Sequence, residues 1–365
     1  MTTANTRTTW KRLLKNKGAL FGMVIIGISL FMALFAHFIA PDSSPDANRM
    51  IVEIGRKKPG YTQQFLLLPR ERKIEPASFF RKLLSGTEDP YHYIPISGYQ
   101  QKGDSLIVQK YVGDGLADRT AYTIAQTQVE DDGAIIPYKI YTQTFRLGTD
   151  EFGRDILSRL LVGVRVSLGV GMVTVLISLS IGVLLGALAG YFRGKTDDLI
   201  MWFINILWSI PTLLLVFAIT IVLGKGFWQV FIAIGLTMWV NVARTIRGQV
   251  LSVREMEYVE AARALGYSPI RIIFRHVLPN VMGPVMVVSA SNFASAIVIE
   301  AGLSFLGIGV QAPQPSWGLM IKENYNFIIT NNPMLALAPG FAIMLLVLAF
   351  NMLGNGLRDA LQVKE

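Results

Sequence analysis

The chain contains no cysteine. That excludes disulfides, thiolate metal sites and cysteine nucleophiles. Histidine is almost absent too. His37, His92 and His276 stand far apart and show no metal-ligand spacing. Charge is scarce: Asp, Glu, Lys and Arg make up 16% of the residues, against about 25% in soluble domains. What is abundant is apolar, 52% of 365 residues. That balance describes a membrane protein. The net charge of +9 would suggest nucleic acid in a soluble chain. Here many basic residues lie beside apolar segments, which points to the inner membrane surface instead.

Residues 1–18 carry Arg7, Lys11, Arg12, Lys15 and Lys17, and the apolar run 19–40 follows. It is long enough to cross a hydrocarbon core of about 30 Å. It is too long for a signal-peptide core, and its end, Phe38-Ile39-Ala40, lacks a small residue at the −3 position, so it reads as an uncleaved first helix with its N-terminus inside. Further spans are expected at 166–190, 199–223, 227–243, 281–299 and 335–353. The fold class is therefore an all-α polytopic membrane protein with six transmembrane helices and both termini cytoplasmic. The short loops then inside carry Arg193, Lys195, Arg244, Arg247, Arg254, Arg263, Arg271 and Arg275. Those outside carry Lys225 and Lys322, an asymmetry that satisfies the positive-inside rule.

Residues 41–147 differ in character. Segments 105–112, 121–129 and 138–147 are rich in β-branched and aromatic residues, with turn signals at Gly113-Asp114-Gly115 and Asp131-Asp132-Gly133. A helix fits 76–84. The expectation is a β-rich extracytoplasmic insert between helices one and two. The chain then divides into 1–40, the insert 41–147, and a five-helix core 148–365.

The polar interruption 255–279 is the most informative stretch. A helix over 258–265 is stopped by Gly266, the residue that tolerates positive φ. Ser268 and Pro269 restart it as cap and first helical residue. Ile270, Ile273, Phe274 and Val277 then share one face, with Arg271 and Arg275 on another, and Pro279 ends or kinks the helix. Without further information this is an amphipathic helix–turn–helix on a membrane surface.

Glu260, Ala261, Ala262, Gly266, Leu278 and Pro279 resemble the EAA loop of bacterial ABC importer permeases. His276 stands where the general pattern has Ile, a departure that the peptide-permease branch tolerates. Leu147–Leu168 supplies a second likeness. Asp150, Gly153, Arg154, Asp155, Arg159 and Arg165 resemble the approach to the second helix in dipeptide and oligopeptide permeases. From the residues alone, Asp150–Arg154 and Asp155–Arg159 read as i,i+4 pairs on a short charged surface helix. The segment Glu300–Gly318, EAGLSFLGIGVQAPQPSWG, is a third likeness in the same order. The resemblance covers 147–361 well, 1–40 loosely and the insert not at all. In helix three, relatives carry an Arg and an Asp where this chain has Trp202 and Asn205. Pro211 remains and should kink that helix.

The resemblance implies one permease subunit of a dipeptide, oligopeptide or nickel importer. It further implies a homologous second permease, two cytoplasmic ATPase subunits that bind ATP and Mg, and an extracytoplasmic solute-binding protein. The loop 255–279 would dock into an ATPase. No cofactor is expected on this chain, and it is not itself an enzyme. Gly194-Lys195-Thr196 lacks the earlier glycine of a phosphate loop, since Ala189 occupies that position. Gly307, Gly309 and Ala312 match a dinucleotide pattern in the wrong context. Ser289, Ser291, Asn292 and Ser295 line up as pathway residues or as small residues for helix packing. Glu300 is either a pathway group or a packed interface residue. The rival classes are a stand-alone secondary transporter, which lacks coupling charges in its spans, and a membrane enzyme, which lacks a nucleophile–base pair.

Overall fold

The structure, a computed structural model, describes residues 3–72, 74, 78–131, 134–224, 226–329 and 332–361. Helix α1 (Thr3–Lys15) leads into α2 (Lys17–Ile39), whose start is capped by Asn16 Oδ1 accepting the Ala19 N–H at 3.1 Å. The insert then supplies β1 (Tyr61–Pro69), α3 (Phe79–Ser85), β2 (Tyr91–Lys102), β3 (Ser105–Gly113) and β4 (Leu116–Thr123). The one-turn α4 (Ile124–Thr127), β5 (Val129–Asp131), β6 (Ala134–Ile136) and β7 (Lys139–Phe145) complete it. Helices α5 (Ile156–Phe192), α6 (Gly194–Trp208), α7 (Thr212–Leu223), α8 (Phe227–Arg254) and α9 (Glu257–Ala264) follow. The last are α10 (Pro269–Ile272), a π-turn at Ile273–Val277, α11 (Leu278–Phe305), α12 (Trp317–Asn324) and α13 (Met334–Leu361).

Among the described residues, five helical stretches are long and apolar enough to cross a membrane, and a sixth exists if α6 and α7 count as one span. That pair is bent by 91° at Ser209-Ile210-Pro211. Proline at 211 cannot donate a backbone hydrogen bond to the preceding turn, so the expected kink is a full break. The fourth span is 28 residues long rather than the expected 17. Its polar half, with Arg244, Arg247 and Arg254, stays helical.

The Cα packing forms two compact units, 1–30 with 166–311 and 341–365, and 31–165 with 312–340. In the first, three glycines at four-residue spacing bring α5 against α8. A Cβ on Gly182, Gly186 or Gly190 would lie 2.5–2.8 Å from Val242, Ala243 or Val250. This is the small-residue spacing that lets membrane helices approach closely. Between the same elements and the 255–279 loop lies a core of Ala187, Tyr191, Ile246, Val250, Val259, Ala262, Ile272, Ile273 and Val277.

The second unit holds an antiparallel sheet of order β4-β3-β2-β1-β7 and a separate β5-β6 pair. Its middle is buried on both faces. Ile51, Ile54, Phe65, Leu67, Tyr111 and Phe145 fill one side; Leu66, Ile96, Leu106, Val108 and Ile124 fill the other. The Asp114-Gly115 turn joins β3 to β4, with Gly115 at φ +80. The expected strand over 121–129 is wrong in its second half. Thr123 and Gln126 form a capping box, and that pairing turns the chain into α4. The central strands β1 and β2 were not anticipated, because Pro95 and Gly98 interrupt the β2 pattern. The helix expected over 76–84 appears as α3; Pro76 and Ala77 lie outside the described residues, as do Asp132 and Gly133.

Phe65 is fully buried, with the rings of Tyr93 and Phe145 at 5.7 and 6.4 Å. Phe65→Ala should weaken the sheet by about 3–5 kcal/mol. Limited proteolysis of membranes holding the full chain should then cut within 61–145 at protease levels that spare the parent. Ile135→Ala, at a site 74% exposed, should leave that pattern unchanged.

Candidate functional site

The 255–279 loop follows the local rules of its residues. Gly266 sits at φ +77, past the end of α9, with open space where a Cβ would lie. Ser268 caps α10 by accepting the Arg271 N–H at 3.5 Å, and Pro269 is the first residue of that helix. The apolar stripe, however, is not the one expected. Ile272, Ile273 and Val277 are buried, whereas Ile270 and Phe274 are 68% and 61% exposed. The π-turn is the cause. Leu278 donates its N–H to Ile273 O, one residue further back than in an α-helix. One extra residue per turn rotates the following stripe by about 100°. Nor does Pro279 end the helix. It falls in the first turn of α11, where a missing N–H costs little.

Glu260, Ala261, Arg271 and Arg275 are exposed, Ala262 is buried in the core below, and Leu278 and Pro279 are half-buried. Leu265 is 73% exposed beside Gly266. The tip of the loop therefore presents Leu265, Ile270 and Phe274 with charged neighbours, above a packed base. Tyr267 stacks on His276 at 6.0 Å and carries the Arg271 guanidinium at 5.4 Å, which ties the turn to the π segment. Arg263 lies 5.3 Å over the Tyr191 ring.

Helix α11 runs directly from this loop. Asn292 and Ser295, on α11, line a cavity of about 180 Å³ together with Trp208, Ile210, Thr212 and Asn241. The break between α6 and α7 thus forms one wall. Asn292 is buried and donates to Ser178 Oγ at 3.3 Å. Ser291 is exposed and does not line this cavity. Glu300 is buried and does not line it either; it accepts the Ser304 hydroxyl at 2.6 Å, and Ser304 in turn accepts the Val310 N–H. These bonds hold the turn after α11. Beside the cavity, Arg244 on α8 donates to Asn205 at 2.6 Å and lies 3.5 Å over the Trp208 ring. Asn205 thus binds a cation supplied by α8. Trp202 is exposed.

The 147–168 motif is arranged differently from the surface helix expected there. Residues 150–154 form a turn with Gly153 at φ +74, and α5 begins only at Ile156. A Cβ on Gly153 would collide with the Ile51 carbonyl. Asp150 Oδ1 accepts the N–H groups of Phe152 and Arg154, and Oδ2 accepts Arg154 Nε at 2.5 Å. The Asp150–Arg154 pair is real but buried, not a surface ion pair. The expected Asp155–Arg159 pair does not form. Asp155 caps α5 by accepting the backbone and hydroxyl of Ser158. Burial pushes its carboxyl above the usual range, against those two hydrogen bonds. Arg159 turns instead to Glu323 on α12, which also accepts Arg154, at 3.2 and 2.8 Å. Arg165 donates to the carbonyls of Leu83 and Leu84. Glu323 had no signal in the sequence, because its partners lie 164 and 169 residues away. In the third motif, Ser316 caps α12, and Trp317 packs on Gly163 and donates to Leu160 O at 3.0 Å.

The family described as binding-protein-dependent transport system inner membrane component matches residues 182–364. A second, described as the N-terminal TM domain of oligopeptide transport permease C, matches residues 5–59. The dipeptide transport system permease protein DppC of Bacillus subtilis is 42% identical over 305 residues, 82% of this chain and 93% of the relative. The oligopeptide transport system permease protein OppC of the same organism is 42% identical over 217 residues, 60% of this chain and 71% of the relative. The glutathione transport system permease protein GsiD of Pectobacterium atrosepticum is 41% identical over 218 residues, 60% and 72% of the two chains.

Removing one partner of a buried ion pair costs about 3–5 kcal/mol. Glu323→Gln leaves Arg154 and Arg159 to share Asp150, so its detergent-solubilised monodisperse fraction should fall at temperatures where the parent is intact. Glu255→Gln, in the exposed Arg193–Glu255 pair, should change the midpoint little. Equal melting of Glu323→Gln and parent would remove the cluster's structural role.

Proposed function

The chain belongs to the family of binding-protein-dependent transport inner membrane components, and from that premise we propose how its loop and cavity serve peptide import. It is a multi-pass permease subunit of a peptide ABC importer. In this reading the tip Leu265–Phe274 enters an ATPase subunit. The carrying observation is the exposed apolar trio Leu265, Ile270 and Phe274 above a buried base. An apolar patch of that kind on a polar loop marks a protein interaction site. Glu260, Arg271 and Arg275 would set orientation at its rim. The ATPase binds ATP and Mg; this chain contributes the lever.

The lever is α11. From Leu278 to Asn292 is roughly 21 Å along a helix. A displacement at the π-turn therefore reaches the cavity wall through one continuous helix. ATP supplies the free energy by binding the two states of the ATPase pair unequally. A homologous second permease completes the pathway, and a solute-binding protein delivers peptide from outside. Asn292, Ser295 and Asn241 offer neutral hydrogen-bonding groups to a peptide backbone beside the α6–α7 break. Both termini and the 255–279 loop are cytoplasmic in this reading, which the Lys/Arg asymmetry supports. The insert 41–147 lies outside.

Sidedness has a direct assay, because the native chain has no cysteine. Single cysteines at 114 and 313 should react with an impermeant maleimide in intact cells. Cysteines at 194 and 268 should react only after permeabilisation. Labelling of 268 from outside would overturn the topology and the ATPase contact together.

Coupling is tested at the turn. Gly266→Pro forbids positive φ, so peptide uptake should be lost while the subunit still reaches the membrane. Glu260→Lys should reduce co-purification with the ATPase. Normal uptake and normal co-purification in both variants would show that the ATPase docks elsewhere.

A further inference from the structure

Helix α3, within the insert, is positioned by contacts at both ends. Ser78 Oγ accepts the Arg81 N–H at 3.4 Å, and Arg165 donates to the carbonyls of Leu83 and Leu84 at its C-terminal end. Its outer face is nevertheless apolar and open. Phe79, Phe80 and Leu84 are 58%, 73% and 68% exposed. Phe80 and Leu84 stand one turn apart on the same face, and Arg81 and Lys82 flank them.

The face is not isolated. A ladder of aromatic rings runs from α2 into it: Phe31 to Phe35 at 4.8 Å, Phe35 to Phe38 at 6.3 Å, Phe38 to Phe79 at 5.4 Å and Phe79 to Phe80 at 5.7 Å. Lys82 Nζ lies 4.9 Å over the Phe38 ring. Phe31, Leu34 and Phe38 are themselves exposed on α2. Apart from the buried Ser29 and His37, that helix is apolar from Gly18 to Ile39 and is followed by Pro41 and Asp42. Phe38 therefore marks the height at which hydrocarbon gives way to headgroups. A segment packed on Phe38 shares that height. Aromatic side chains with adjacent Lys and Arg are the composition of the membrane–water interface.

We propose that α3 is an interfacial anchor, with Phe80 and Leu84 immersed in the bilayer next to α2 and Arg81 and Lys82 at the lipid phosphates. The occupant of this face is lipid rather than protein, because the patch continues the exposed aromatic face of a membrane-spanning helix without a break. The anchor holds the insert down on the membrane. The proposal rests on α2 crossing the bilayer and is independent of which solute is carried.

The test uses the full-length chain in nanodiscs of phosphatidylcholine with phosphatidylglycerol, spin-labelled at single cysteines. Labels at 80 and 84 should relax faster with oxygen than with a water-soluble nickel chelate. A label at 104, on the exposed β2–β3 hairpin, should show the reverse. Nickel accessibility at 80 and 84 equal to that at 104 would mean that the face is in water and overturn the anchor. Shielding from both reagents would mean that protein covers it, and would overturn it equally. Since Phe80→Cys itself removes an anchoring ring, Leu84→Cys with Phe80 intact decides the case. Failure of peptide uptake in any of these variants bears on the transport reading alone, not on the depth measurement.

Discussion

The π-turn at Ile273–Val277 is the constraint that reconciles the two duties of the 255–279 loop. The loop packs against α5 and α8, and in the proposed function it leaves apolar side chains uncovered for a partner. A regular helix from Pro269 onward would bury Ile270, Ile273, Phe274 and Val277 on one stripe and leave little for docking. The inserted residue moves burial to Ile272, Ile273 and Val277 and turns Ile270 and Phe274 outward. The same insertion accommodates Pro279 without a break, so loop and α11 remain one lever. π-turns are uncommon and concentrate at functional sites for reasons of this kind.

A lever is useful only against a firm seat. The glycines at 182, 186 and 190 place α5 in backbone contact with α8. Val242, Ile246 and Val250 of α8 then meet Val259 and Ala262 of the loop in the same core. Arg247 holds Asp197 with two parallel hydrogen bonds at 2.5 and 2.6 Å, which fixes α6 to α8 with bidentate geometry. Tightly packed small-residue interfaces have few intermediate arrangements. In the proposed coupling, force applied at Leu265 would be passed on as movement of packed helices.

Much of this was legible in the sequence where the cause is local. Gly266, Ser268 and Pro269 specify a turn with their own backbone preferences, and the structure places them accordingly. The break at Pro211 was legible as a kink, but not its 91° extent. The Thr123/Gln126 capping box is also a local signal, and it outweighs the β-branched composition around it. What could not be read was non-local. Asp155 and Arg159 have the spacing of an ion pair. Yet Asp155 is taken by the end of its own helix and Arg159 by Glu323, far along the chain. Arg244 binding Asn205 is another case, since helix spacing says nothing about which neighbour faces which. Periodicity likewise missed the π-turn, because it assumes an unbroken helical phase.

The buried charges of the 147–168 motif answer a problem that apolar packing leaves open. Helix α5 is 37 residues long and apolar on all sides for most of its length. Because lipid tails and leucine are equally apolar, apolar contacts alone favour one alignment of such a helix against its neighbours only weakly. Ion pairs are directional and cannot shift by a turn without leaving a buried charge uncompensated. Asp155 fixes the first residue of α5, Asp150 fixes the turn before it, and Glu323 reaches both Arg154 and Arg159 from α12. Apolar replacements of similar volume can match such a cluster in stability, but they would not set where the helix starts. The cluster's main contribution is register: it sets the residue at which α5 begins.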